Sequence, residues 1–159
     1  MWPFPMESAH PLIVHFPIAL LLSAALLDML ATAVRKPSWH RVALWNLGVG
    51  TLGASAAVWS GLRAAEVAKH SFEIHQVMER HQTLGIATLV LAAVLAAARL
   101  IVRDRLPAWW RAFALLAVLA LAGTLGYTAH LGGRLVYEFG VGGSFGASDS
   151  LAQPSSHHH

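Results

Sequence analysis

An all-α membrane protein, folded as a transmembrane antiparallel four-helix bundle, is what this sequence predicts, and three observations predict it. Hydrophobic residues make up 56% of the chain and charged residues only 12%, a balance outside that of ordinary soluble domains. The apolar residues gather into four runs, each long enough at about 1.5 Å per residue to cross a hydrocarbon layer of roughly 30 Å. The basic residues sit in short clusters between those runs, where membrane topology places them. They do not form the continuous basic stripe of a nucleic-acid groove, so the expected partner is the lipid bilayer and not nucleic acid.

The first span is predicted over 11–34, where the apolar run ends at Arg35-Lys36-Pro37. No basic residue precedes it and it exceeds a cleavable signal core, so it is expected to stay in the mature protein. The second, over 42–62, lies between Arg41 and Arg63 and is rich in small residues. Gly50 with Ala54, and Gly53 with Ala57, have the four-residue spacing of close membrane-helix contacts. The same face would serve a homodimer. Gly48 to Gly53 also fits a dinucleotide-binding glycine pattern, but no strand precedes it and it lies inside a span, so that reading is set aside.

A connector over 65–82 differs in kind. It carries Glu66, Lys69, His70, Glu73, His75, Glu79, Arg80 and His81, with Val67, Ile74 and Met78 spaced as one face of an amphipathic helix. The third span is predicted over 83–102, ending before Arg103-Asp104-Arg105, and the fourth over 109–131, closed by Gly132-Gly133-Arg134. Leu135 to Gly142 reads as a short cap. Residues 1–143 thus form a single four-span domain. Residues 144–159 form a Gly/Ser-rich tail, expected to be disordered, whose closing histidines have the pattern of a purification tag.

Basic residues near the span ends set the orientation. Arg35, Lys36, Arg41, Arg99, Arg103, Arg105 and Arg111 fall on one side, and Arg63, Lys69, Arg80 and Arg134, diluted by glutamates, on the other. Both termini are therefore expected on the outer, periplasmic side of a bacterial inner membrane. Tryptophans fit this frame: Trp39, Trp45, Trp109 and Trp110 mark the inner interface, Trp2 and Trp59 the outer one.

Histidine carries the candidate chemistry. The chain has no cysteine, so thiolate ligands are unavailable and a metal or cofactor must be held by nitrogen or oxygen donors. His10 and His15 open the first span, His81 enters the third and His130 leaves the fourth, all at the outer side. His70 and His75 lie on the connector at that face, and only His40 is on the other. A small residue follows one turn deeper at each of three: Ala19 after His15, Gly85 after His81, and Gly126 before His130. Residues four apart share a helix face, so a slot is expected beneath each ring.

Such slots suit a flat macrocycle. Imidazoles from facing helices would ligate a b-type haem, one or two per chain, with Arg63, Arg80 or Arg134 meeting the propionates. His81 and His130 are the expected axial pair, with Gly85 and Gly126 beneath them and His15 as the alternative ligand. The competing use is a bare Zn, Cu or Fe ion held by His10, His15, His75, His81 or His130, with Glu79 or Glu138 completing the set. The plain alternative is cross-helix hydrogen bonding, for which Pro17 frees the carbonyl of Ile13. Asp28 and Asn46, at similar depth near the inner face, are expected to bond to each other, because a lone polar group in lipid is costly.

His10-Pro11 with Val14-His15-Phe16-Pro17-Ile18, then His81 with Leu84-Gly85, then His130-Leu131-Gly132-Gly133 and Leu135-Val136-Tyr137, resemble a family of small bacterial membrane proteins defined as domain of unknown function 2231. The resemblance spans nearly the whole chain before the tail. It implies the four-span topology and gives functional weight to His10, His15, His81 and His130. Relatives joined to cytochrome-c-like or Rieske-like modules imply electron transfer. The function expected is an electron carrier, or a quinol-linked oxidoreductase, between the quinone pool and a periplasmic cytochrome c or Rieske-type partner. The alternative is a histidine-based metal-ion protein, enzyme or transporter.

Overall fold

The computed structural model describes residues 6–67, 71–102 and 108–141. They form four helices: α1 (Met6–Val34), α2 (Pro37–Val67), α3 (Phe72–Val102) and α4 (Ala108–Tyr137). Each contains an apolar stretch long enough to cross a membrane. The helices extend beyond the predicted spans. α1 begins before His10, α3 takes in the second half of the connector, and α4 runs on to Tyr137. The apolar runs mark only the lipid-solvated part of each helix, while the hydrogen-bond ladder continues into the polar turns.

The ends have local causes. Arg35 takes a positive φ of 53° and the Lys36 amide donates to the Ala31 carbonyl at 3.1 Å, the left-handed closure that ends α1. Pro37 then opens α2, where its missing N–H costs nothing. Beyond α4, Gly140 adopts φ 65° and the Val141 amide reaches the Leu135 carbonyl at 2.8 Å.

Packing follows the chemistry of a bilayer. Large apolar side chains such as Trp45, Leu52, Val94 and Leu116 face outward, whereas Ala24, Ala25, Ala31, Ala43, Ala92 and Ala114 are buried with Leu21 and Leu121. Without a hydrophobic drive between helices in lipid, small buried residues allow close contact. Gly50 and Gly53 show this: added Cβ atoms would lie 3.0 Å from Leu21 and 3.3 Å from Pro17, so α2 lies directly on α1. α1 pairs most extensively with α2 and α3 with α4; α2–α3 and α4–α1 contacts close the ring, leaving α1 and α3 on a diagonal.

The two hairpins are alike. With an offset of 71 residues, the separation of Asp28 and Arg99, α2 falls on α4 almost end to end. Ala43, Leu47, Gly50, Ala57 and Ser60 are buried, and so are their counterparts Ala114, Val118, Leu121, Thr128 and Leu131. Pro17, Leu21 and Ala24 match Thr88, Ala92 and Leu95, again all buried. At this offset the chain reads as a tandem repeat of two similar two-helix units, alike in helix length and in these buried positions.

Candidate functional site

His10 and His81 occupy equivalent positions in the repeat, and they meet. Their ring centroids are 6.5 Å apart with the planes at 84°. Each ring is held by its own hairpin. His10 Nδ1 lies 2.9 Å from Ser60 Oγ, and the Ser60 hydroxyl proton is already donated to the Ala57 carbonyl at 2.9 Å. The serine oxygen therefore accepts, and His10 carries its proton on Nδ1. His81 Nδ1 donates to the Thr128 carbonyl at 2.9 Å, which fixes the same tautomer. In the neutral form both rings therefore keep Nε2 unprotonated.

Glycine makes room for each ring. A Cβ at Gly61 would lie 2.8 Å from His10 Cε1, and one at Gly132 would lie 3.0 Å from His81 Cε1. Burial, and after it the neighbouring His81, push the His10 pKa below the usual imidazole value. Two residues beyond the glycines stand Arg63 and Arg134, again equivalent. Each is paired with a nearby glutamate, Arg63 to Glu66 at 3.2 Å and Arg134 to Glu138 at 2.8 Å.

His130 is exposed and stacks on Tyr127, with centroids 6.4 Å apart. Gly126 has open space at its Cβ position, and Gly85 faces only the Thr128 methyl at 3.9 Å. His81 meets His10 while His130 is exposed beside Tyr127, so the structure does not bring the expected pair His81 and His130 together. His15 and His75 are exposed, and Arg80 lines a surface crevice with Glu79, Thr83 and Leu84. Among the described residues, no three His, Asp or Glu side chains converge on one point. Of the histidines expected as metal ligands, the structure brings His10 and His81 together. His70 lies outside the described residues.

A second polar centre lies at the other end of the same helices. Asp28, with only 4% of its side chain exposed, receives Arg99 Nη1 on Oδ1 at 2.7 Å, Arg99 Nη2 on Oδ2, and His40 Nδ1 on Oδ1 at 2.9 Å. The expected Asp28–Asn46 bond is replaced by this arrangement. Asn46 Nδ2 donates to Ser23 Oγ at 2.9 Å instead. A buried carboxylate takes a charged fork in preference to a neutral amide because the charge-assisted bonds are stronger.

The sequence model of a family described as a predicted membrane protein, DUF2231, matches residues 7–144. The chain belongs to this family. The DUF2231 match takes in both hairpins, so the two-histidine end and the Asp28–Arg99 end both lie inside the family domain. No curated protein and no solved structure matches the chain.

Proposed function

We propose that the protein is a b-type haem carrier of electrons, with His10 and His81 as the axial ligands. The observation that carries the reading is the donor set: two equivalent imidazoles, each with its Nδ1 proton committed and its Nε2 lone pair unprotonated. A hydrogen bond on the far ring nitrogen is the usual mark of a ligating histidine. The two rings that would hold the group already stand close, with centroids 6.5 Å apart.

Donor count favours haem over a bare ion. Zinc takes three or four protein ligands, whereas among the described residues no group of three His, Asp or Glu side chains is gathered, and His10 and His81 meet as a pair. Two imidazoles are a full axial set for a haem iron, whose other four nitrogens come from the macrocycle. The bound group would supply the one-electron couple. The chain's own work is to hold both rings by their Nδ1 atoms, exclude bulk at Gly61 and Gly132, and offer Arg63 and Arg134 to anionic groups at the rim. Electrons would pass between the quinone pool and a cytochrome c or Rieske-type partner on the outer side of a bacterial inner membrane, and the basic-residue bias supports that side for the histidine end.

The test is the visible spectrum of detergent-purified protein, oxidised and then dithionite-reduced. A sharp Soret band with reduced α and β bands is expected, lost in His10→Ala and in His81→Ala but retained in His130→Ala. A colourless protein after haem supplementation, or a six-coordinate spectrum that survives both ligand variants, would overturn the reading.

A further inference from the structure

α1 and α3 present two pairs of repeat-equivalent residues to each other: His10 with His81, and Asp28 with Arg99. In each helix the two positions are eighteen residues apart, about 27 Å of helix. These helices stand on the diagonal, with no extensive backbone packing between them, so their relative depth and rotation depend on what joins their ends. The nearby core is small and smooth, built of Ala24, Ala25 and Ala92 with a few leucines. Small residues allow close approach but offer few interlocking side chains to set a depth. A guanidinium fork on a carboxylate does set one, because both bonds hold only at one depth and one rotation.

Opposite charge at equivalent positions adds a second constraint. An α1 facing another α1 would set Asp28 against Asp28, and an α3 facing another α3 would set Arg99 against Arg99. Two buried like charges are costly, so the pair selects the unlike pairing of the two hairpins. His40, 39% exposed, completes the carboxylate's partners from α2.

We propose that Asp28 and Arg99 are positioning residues for the imidazole pair at the far end of the same helices, fixing the register that brings His10 opposite His81. The identity of the bound group rests on the haem reading, but the register itself does not.

The experiment separates register from stability. Replacing both partners of a buried ion pair by apolar residues is often close to neutral for folding, because no charge is left unpaired. The full chain with Asp28→Leu and Arg99→Leu is therefore compared with the parent, each carrying Ala19→Cys and Ala87→Cys. These are exposed positions in a chain otherwise free of cysteine. Spin labels there report the distance between α1 and α3 with no cofactor needed. The expected result is a narrow distribution in the parent and one about twofold broader in the folded double variant, because register is lost while folding is kept. A double variant as narrow as the parent would overturn the proposal. Should it not fold, Arg99→Lys decides: it keeps the charge and loses the fork, so broadening supports the proposal and an unchanged width overturns it. If the parent binds haem, the double variant should also convert part of its six-coordinate spectrum to five-coordinate. A colourless parent would remove only this second readout and count against the haem reading alone.

Discussion

Gly61 and Gly132 hold equivalent places in the two hairpins, and each gives its own hairpin's imidazole the space that a methyl group would fill. The Cβ positions fall 2.8 Å from His10 Cε1 and 3.0 Å from His81 Cε1. Both contacts are with a ring wedged between helices and anchored at Nδ1, so neither ring can swing aside without losing its hydrogen bond.

Gly61→Ala should therefore displace His10. The overpacking cost is about 1–3 kcal/mol, offset by roughly 1 kcal/mol of helix propensity. Gly132→Ala should be milder. Gly126→Ala, with nothing within 4 Å, should be neutral or slightly stabilising. Thermal unfolding in detergent measures the three, and the order Gly61, Gly132, Gly126 is the expected ranking of loss.

The four helices were legible because runs of about 20 apolar residues have few other uses. Which histidines meet was not. His10 and His15 are five residues apart, about 140° around a helix, so both cannot point inward, and clustering along the membrane normal does not choose between them. The deciding signal was the 71-residue repeat. His10 with His81, Ala43 with Ala114, Gly61 with Gly132 and Arg63 with Arg134 all lie at that offset, and residues on a symmetry-like axis meet their own equivalents. The same offset joins Asp28 to Arg99. Arg99 was legible only as an interfacial charge, since its burial depends on the diagonal contact.

The two Nδ1 anchors differ, and substitution should separate them. His10 depends on the Ser60 side chain, whereas His81 depends on the backbone oxygen of Thr128. Ser60→Ala removes the hydroxyl acceptor and leaves the His10 N–H only the Ala57 carbonyl, at a cost of up to about 1 kcal/mol. Thr128→Val should leave the His81 anchor in place. Thermal unfolding tests both, and in haem-loaded protein only Ser60→Ala should alter the Soret position.

Arg99→Leu removes the cationic partner of a buried carboxylate whose side chain is 4% exposed, leaving it only the His40 hydrogen bond. Breaking such a pair from one side costs about 3–5 kcal/mol, since the remaining charge is uncompensated. Asn46→Leu removes a single neutral bond to Ser23 and should cost about 1 kcal/mol. Denaturation of the two variants in the same detergent measures the contrast; equal losses would mean that Asp28 is satisfied without the guanidinium.

Acid should loosen the histidine end. Burial, then His81, hold the His10 pKa below its ordinary 6.5, so the unfolded chain takes up this proton more readily than the folded one. Stability rises with pH wherever the unfolded state binds more protons. The His10 contribution is thus complete above about pH 6.5 and is lost as the pH falls from there through the lowered folded value. Protonation at Nε2 also removes the lone pair that would bind a metal. Melting temperatures measured from pH 8 downward should begin to fall below about 6.5, and the step should shrink in His10→Gln, which cannot titrate. An unchanged step in that variant would assign the acid sensitivity to another group.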